Sequence, residues 1–434
     1  MSAQGSWLPE SLRRLNLTLA DQLLISSGSF AAGVLLARGL GMNGFGTFSI
    51  VWIVVLFLHG LQLSLIVAPM MSIGPSVSEN DSGEYFGAVF CHQLIFAATT
   101  STLLAVGLRY HPATRDVSVL AAPLFVMSFA DQTREFLRRY FFVRARAHCA
   151  LLVDAVSVGV QVAALALLVA NRSVTIGAAL WVMGIASVAG VLTGVGRIDR
   201  LRLCMQSFRG IWARHWRLGS WLMLSTLTQW LGSQGVLLLA GIHHGAASVG
   251  GARAVITLSA PFGILIQALH NLVPVRTSEM YHNLGFAAMV RYLAKVTLWT
   301  MGALTLGGVV MVVLATPLFG FVYGVQYLEL TKFVPWQALY VVLGGLVFGV
   351  STFFRTIEEA RPYAVATLLA PMVGILAYGA TSSFLNEGVV FAALVANQVT
   401  TASLGTLLVS RRLSRGIDDS WIGSATWSPA SAER

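Results

Sequence analysis

Three glycines in the stretch GLGMNGFG have the spacing of a phosphate-binding turn. Gly39, Gly41 and Gly44 follow the pattern G-x-G-x-x-G, which in dinucleotide-binding folds joins a strand to a helix and precedes a ribose-binding acid. Here the segments on both sides are apolar runs of membrane-spanning length, and no acidic residue follows until Glu79. The stretch therefore predicts a tight turn between two helices, and the nucleotide-binding interpretation is rejected.

A second group of reactive side chains lies in the segment DQTREFLRR. Asp131, Arg134, Glu135 and Arg138 recur at intervals of three and four residues, so they share one face of a helix. They predict either a self-neutralising ladder of ion pairs or a gate at the entrance of a transport path, with Asp131 and Arg134 as its ion-coupling or gating candidates. Asp154 is the most isolated acid in any apolar segment, and it predicts either an ion-coupling site or a partner for an arginine of the preceding helix.

Residues of catalytic or metal-binding type do not form a convincing set. The three cysteines are widely separated and form no CxxC motif. No Ser-His-Asp arrangement or pair of catalytic carboxylates is evident, and histidines of the apolar segments such as His59 are expected to be packing residues. We therefore predict that the protein is not an enzyme and uses no metal or cofactor.

Composition indicates the environment in which these residues lie. Of the 434 residues, 56% are hydrophobic and 11% are charged, whereas soluble domains carry about 25% charged residues. Apolar runs of about 18 or more residues recur from end to end, which is typical of transmembrane helices. We predict an all-α polytopic membrane protein whose twelve helices lie at approximately 20–40, 47–71, 86–108, 117–137, 149–170, 174–195, 218–242, 249–274, 292–315, 333–353, 363–383 and 388–410.

The basic residues divide unequally between the two sides of this topology. With twelve helices, 22 of the 28 lysines and arginines fall on one side and 6 on the other. Cytoplasmic loops of membrane proteins carry such an excess of positive charge. Both termini and the central loop are therefore predicted to be cytoplasmic, and the net charge of +10 is explained without a nucleic-acid partner.

The two halves of the chain contain similar features at similar spacing. Gly46 and Pro69 are separated by 23 residues, as are Gly251 and Pro274, and each pair brackets the second helix of its half. An even number of helices per repeat keeps both repeats in the same orientation, and substrates of such transporters bind between the repeats. We therefore predict an N-terminal six-helix lobe with its basic linker and a C-terminal six-helix lobe with its short tail, at residues 1–210 and 211–434.

The segment 20–52 resembles the opening of a known transporter family. It contains a polar helix start, small residues, the pair Ala37-Arg38, the glycine turn and the pair Phe45-Gly46, in that order. This order resembles the Wzx-like polysaccharide-export flippases of the MOP superfamily, which are relatives of MATE drug exporters and lipid II flippases. The arginine-rich segment DQTREFLRRYFFVRARAH is also similar to this family.

The resemblance implies a substrate and a cellular role. It implies that undecaprenyl-pyrophosphate-linked oligosaccharide repeat units cross the bacterial inner membrane for exopolysaccharide, capsule or O-antigen (lipopolysaccharide) synthesis. The implied partners are this lipid-linked oligosaccharide, membrane lipids, and polysaccharide polymerase and chain-length or export proteins. The implied energy source is the membrane potential or an ion gradient.

Candidate substrate-binding residues follow from this implied substrate. Positions in the first and eighth helices line the cavity in the family, which favours Arg38 and Arg253 as charge partners of a pyrophosphate. For Arg38 and Arg253, anchoring at the membrane interface is the alternative. Gln22, Gln229 and Asn271 suit either sugar hydroxyl groups or hydrogen bonds between helices.

Two other functions are compatible with a polytopic membrane protein. A MATE-type ion-coupled drug or metabolite antiporter should carry acidic residues deep in its helices, and here only Asp154 is moderately deep. A membrane-embedded glycan ligase, polymerase or acyltransferase should carry a large external catalytic loop. The longest predicted outer loop, residues 316–332, is short, so the flippase is favoured over both.

Overall fold

The computed structural model describes residues 10–110, 118–202, 204–357, 359–382 and 388–414, and these form an all-helical fold. The helices are joined or interrupted by π-helical turns at Leu63–Val67 and Leu231–Gly235 and by 3-10 turns at Gly74–Ser76, 118–120 and Val325–Phe333. The α-helices of the described residues are α1 (Glu10–Gln62), α2 (Ala68–Ile73), α3 (Glu79–Tyr110), α4 (Ala121–Val143), α5 (Ala147–Ala170), α6 (Ile176–Val195), α7 (Met205–Trp230), α8 (Val236–His244), α9 (Ala246–Leu258), α10 (Ala260–Leu284), α11 (Phe286–Val313), α12 (Ala315–Val322), α13 (Val334–Thr356), α14 (Ala360–Thr381) and α15 (Val389–Ser414).

The helices account for the twelve predicted membrane spans. Seven helical segments are long and apolar enough to cross a membrane, and the bent pair of α9 and α10 makes an eighth. One of the seven, Ala20–Ile73, contains two of the predicted spans. The remaining predicted spans coincide with α4, with α7 and α8 together, and with α14. The chain is therefore a multi-pass membrane protein.

The predicted glycine turn is a single-residue break inside α1. Gly41 has φ 67° and ψ 176°, and α1 is helical on both sides of it. Gly245 has nearly the same conformation, φ 81° and ψ 173°, between α8 and α9. A positive φ is disfavoured for residues with a Cβ atom, so glycine allows the chain to break here within one residue. The second helix consequently begins at Met42, earlier than the predicted residue 47.

The two glycine breaks start helices that cross each other reciprocally. A Cβ atom at Gly46 would overlap the carbonyl oxygen of Ala246, and a Cβ atom at Gly250 would overlap that of Met42. Gly46 and Gly250 are each the fifth residue after a glycine break, and Met42 and Ala246 are each the first. The contact is therefore reciprocal, as in a two-fold-related interface. The repeat predicted from the sequence is present, but the partner of Gly46 is Gly250, one residue before the predicted Gly251.

The two ends of the helix bundle are packed differently. We call the end with Gly41, Gly245 and Gly324 the Gly41 end, and the end with Arg138 and Gly285 the arginine-rich end. At the Gly41 end one hydrophobic core contains buried residues of both halves, such as Phe48 and Tyr323.

At the arginine-rich end the halves have separate cores. One cluster is built of buried residues between Leu65 and Val153, and the other of buried residues between Val273 and Phe354. The helix α7 packs on the first of these clusters through Ile211 and Met223. Apart from α7, whose residues from 211 on belong to the predicted C-terminal lobe, the halves are therefore joined chiefly at the Gly41 end, which leaves space between them further along the helices.

Candidate functional site

A cavity of about 970 Å³ lies between the two halves. Helices α1, α4, α5 and α6 form its first wall, and α9, α10, α13 and α15 form its second wall. Its aromatic lining includes Trp52 and Tyr340, and its ionisable lining residues are His59, Asp131, Arg134, Glu135 and Arg253. Within the described ranges, no group of three or more His, Cys, Asp or Glu side chains could hold a metal ion.

The first wall carries a network of ion pairs that begins at Asp131. Its Oδ1 lies 2.8 Å from Nη2 of Arg134 and accepts a hydrogen bond of 3.2 Å from the Ser187 hydroxyl. Its Oδ2 lies 3.3 Å from Nε2 of His59. Each oxygen of Asp131 therefore has a polar neighbour, one from α4 and α6 and the other from α1.

The network continues behind the first wall to two buried acids. Arg138 lies 2.9 Å from Oδ2 of Asp21 through Nη2 and 2.9 Å from Oδ2 of Asp154 through Nε. Arg134 also pairs with Asp154. The side chains of both acids have 0% exposure. Because an isolated buried charge is costly, these carboxylates depend on the arginines beside them.

The ion-pair ladder predicted for α4 is present. Arg134 pairs with Asp131, and Arg138 lies 3.3 Å from Glu135. Of the two alternatives for Asp154, the structure shows the pairing with arginines of the preceding helix. Asp154 is therefore the buried centre of the network, while Asp131 and Arg134 face the cavity.

Arg253 on the second wall differs from the arginines of the first. Its side chain is partly buried and lines the cavity. Among the residues that the structure describes, no acidic side chain lies within 4.0 Å of its guanidinium group, and the group forms no hydrogen bond. A cation held in this way in a membrane protein is costly and suits an anionic ligand.

The other predicted cavity residues are separated by the fold. Gln22 lines the cavity. Arg38 does not, because its Nε donates a 2.6 Å hydrogen bond to the Val322 carbonyl and its Nη2 another to Phe321, which satisfies the C-terminus of α12. Gln229 is exposed on α7 away from the cavity lining. Asn271 belongs to α10, but its side chain lies outside the described part of the structure.

Several residues of the site were missed by the sequence reasoning. Asp21 lies at the polar start of a predicted span and gave no sign that it would bind Arg138. His59 was expected to pack, yet it lines the cavity beside Asp131. Gln337 and Gln398 also line the cavity, and the only available signal was an amide side chain within an apolar segment.

A further ion-pair group lies in the connections at the arginine-rich end. Asp199 lies 2.7 Å from Arg146, 3.0 Å from Arg144, and accepts a 3.0 Å hydrogen bond from the Tyr140 hydroxyl. Partial burial alone would raise the pKa of the Asp199 carboxyl, but the hydrogen bond and the two positive charges outweigh it. The pKa of Asp199 is therefore lower than its ordinary value.

Comparisons with known proteins identify the fold. No protein-family model and no curated protein matches the chain in sequence. An inward-facing multidrug resistance MATE transporter of the MOP superfamily matches with a TM-score of 0.71 and 16% identity over 89% of this chain and 94% of that one. An outward-facing MATE structure gives a TM-score of 0.61 with 15% identity, over 94% of this chain and 96% of that one.

A third solved structure is described by the polarity of its pocket. It is a MOP-superfamily transporter from Pyrococcus furiosus whose reverse pocket polarity suggests a different function for that protein, and it matches with a TM-score of 0.61 and 16% identity over 93% of this chain and 95% of that one. The chain therefore has the fold of MOP-superfamily transporters, with two lobes around a central cavity.

Proposed function

We propose that the protein is a flippase that moves undecaprenyl-pyrophosphate-linked oligosaccharide repeat units across the bacterial inner membrane for surface polysaccharide synthesis. The observation that carries the proposal is Arg253, a cavity arginine without an acidic neighbour among the described residues. Phosphate oxygens are the natural partners of such a guanidinium group. The polyprenyl tail would remain in the bilayer while the headgroup occupies the cavity.

The charges of the first wall support an anionic substrate. Asp131 and Glu135 line the cavity, but each is paired with at least one arginine of α4. The four acids of this network share three arginines, so each carboxylate is paired, whereas Arg253 has no acidic partner among the described residues. The unpaired guanidinium group is the charge that a ligand can neutralise, which favours an anion over a cationic drug.

The packing of the two ends supports an inward-facing state of the transport cycle. The halves share a core at the Gly41 end and have separate cores at the arginine-rich end. If the arginine-rich end is cytoplasmic, as the charge distribution predicts, the cavity faces inward. We propose that the termini are cytoplasmic, that the lobes are residues 1–210 and 211–434, and that they rock about the Gly41 end.

Deletion of the gene in its own host tests the proposed function. We expect loss of surface polysaccharide and accumulation of lipid-linked repeat units in the cytoplasmic leaflet. Complementation with Arg253→Gln should fail although the protein is folded and inserted, whereas Arg109→Gln, at the exposed end of α3, should restore export. Normal surface polysaccharide in the deletion strain would contradict the proposal.

A MATE-type ion-coupled antiporter is the second candidate. It is favoured by the solved structures that match the fold and by the pair of His59 and Asp131 on the cavity wall, which could bind a proton. Its test is efflux of an organic cation such as ethidium from vesicles with an imposed pH gradient. Efflux that is lost in Asp131→Asn but kept in Arg253→Gln would favour the antiporter over the flippase.

A further inference from the structure

The helix that carries Arg253 is broken inside the membrane. Helices α9 and α10 meet at an angle of 49°, and Ser259 lies between them with φ −83° and ψ 2°. The Ser259 hydroxyl donates a 2.6 Å hydrogen bond to the Ile256 carbonyl. The corresponding helix of the first half continues unbroken from Met42 to Gln62. The break is therefore a feature of the second wall alone.

Gln337 of α13 holds this break. Its Nε2 donates a 2.9 Å hydrogen bond to the Ser259 hydroxyl. Its side chain lines the cavity and the residue is 2% exposed. Among the described residues, its Oε1 has no hydrogen-bond partner. A buried acceptor without a partner costs about 1–3 kcal/mol, so a ligand that donates a hydrogen bond here would recover that energy.

Further neutral hydrogen-bonding groups surround the same cavity. Gln161 of α5 and Gln398 of α15 line it, and neither amide has a hydrogen-bond partner within the described part of the chain. Ser259 lies six residues after Arg253, which corresponds to about 9 Å along a helix. Arg253 and the amides of Gln337 and Gln398 thus lie on the second wall, and the amide of Gln161 lies on the first.

We propose that Gln337, Ser259 and the helix break form a subsite for the sugar that is attached to the pyrophosphate. This inference rests on the proposed function and deepens it. In many transporters discontinuous helices provide the substrate site near the bilayer midplane. The Oε1 of Gln337 requires a donor, which a sugar hydroxyl or acetamido group supplies. A cationic ligand could also donate there, but the nearby guanidinium of Arg253 repels it.

Binding of two synthetic lipids to the purified full-length chain tests the subsite. The probes are undecaprenyl-pyrophosphoryl N-acetylglucosamine and the methyl ester of undecaprenyl pyrophosphate, which have the same charge but differ in the sugar. We expect the wild-type protein to bind the sugar-bearing lipid about tenfold more tightly. Gln337→Met, which keeps the size of the side chain, should abolish this preference and leave the affinity for the methyl ester unchanged.

Other variants separate this subsite from the proposed function. Arg253→Gln should weaken the binding of both lipids by a similar factor. Ser259→Ala removes the anchor of Gln337 and should also reduce the sugar preference, so the inference does not depend on one variant that could fail to fold. If the wild type binds both lipids equally, the subsite is wrong and the flippase proposal stands. If it binds neither lipid, the flippase proposal itself is overturned.

Discussion

The two halves of the protein are alike where they touch and different where they face the cavity. At the Gly41 end, Gly46 and Gly250 occupy equivalent positions in equivalent helices and contact each other reciprocally. On the cavity walls, Arg134 of the first half is paired with two acids, while Arg253 of the second half has no acidic neighbour in the described residues. The repeat is therefore retained in the backbone but not in the polar chemistry.

This difference indicates a division of roles. Charges that neutralise each other within one lobe hold its helices together and have little capacity left for a ligand. In the described part of the chain, a guanidinium without an acidic neighbour and the Oε1 of Gln337 without a hydrogen-bond partner destabilise the empty protein, and that energy is recovered when a ligand binds. We infer that the first wall is a rigid support and that the second wall binds the substrate headgroup.

Removal of Arg138 should have the largest effect on the first wall. Arg138→Gln leaves Asp21, and in part Asp154, buried without a cation, so we expect a loss of about 3–5 kcal/mol. Thermal unfolding of the purified protein in detergent measures it. The matched control is Arg139→Gln, whose side chain is 31% exposed and pairs with Glu135, and which should cost about 1 kcal/mol or less. Equal losses would show that the buried network does not hold this lobe together.

A methyl group added at Gly46 should weaken the contact at which the two halves are alike. In Gly46→Ala the new methyl group meets the Ala246 backbone, so α1 and α9 must separate, at a cost of about 1–3 kcal/mol. We expect a larger population open at the Gly41 end, measured by spin-label distances across that end. Gly107→Ala, on α3 with no atom within 4 Å of the added methyl group, should leave the distances unchanged. An unchanged distance distribution in Gly46→Ala would show that this contact does not keep the Gly41 end closed.

Removal of the uncompensated charge should stabilise the empty protein. Arg253→Gln takes away a partly buried cation, and we expect a gain of about 1 kcal/mol together with loss of transport. Thermal unfolding without ligand measures the gain. Arg291→Gln, an exposed arginine of α11, is the control and should have no effect. A clear loss of stability in Arg253→Gln would mean that the residue supports the fold, contrary to the assigned roles of the two walls.

The smallest expected effect concerns pH at the arginine-rich end. The folded-state pKa of Asp199 lies below its ordinary value of 3.8, so its contribution to stability is present above that value. We expect this contribution to be complete above about pH 5 and to disappear as the pH falls through the lower folded pKa. Asp199→Asn should flatten this part of the pH dependence of the unfolding temperature. An identical pH profile in the variant would show that Asp199 does not contribute to the pH dependence of stability.

Predictions from the sequence were accurate where a local pattern determines the result. The apolar runs predicted the helices, the glycine stretch 39–46 predicted a turn that the structure places at Gly41 alone, and the spacing in α4 predicted the ladder of ion pairs. The repeat was also detected, although Gly46 was aligned with Gly251 instead of Gly250. Helix periodicity and backbone sterics act over a few residues, so their pattern is readable without tertiary contacts.

Only the tertiary structure decided which polar residues share a site. Arg38 and Arg253 looked equivalent as arginines near helix ends, but unsatisfied carbonyl groups of α12 bind the first and the cavity surrounds the second. Asp21 carried no local signal, and the only signal of Gln337 was an amide within an apolar segment, because the partners of both residues are far away in sequence. The sequence by itself determined a bundle of membrane helices in two similar halves. How those helices pack determined which charges are neutralised and which remain for a ligand, because the energy of a buried charge depends on its neighbours in space.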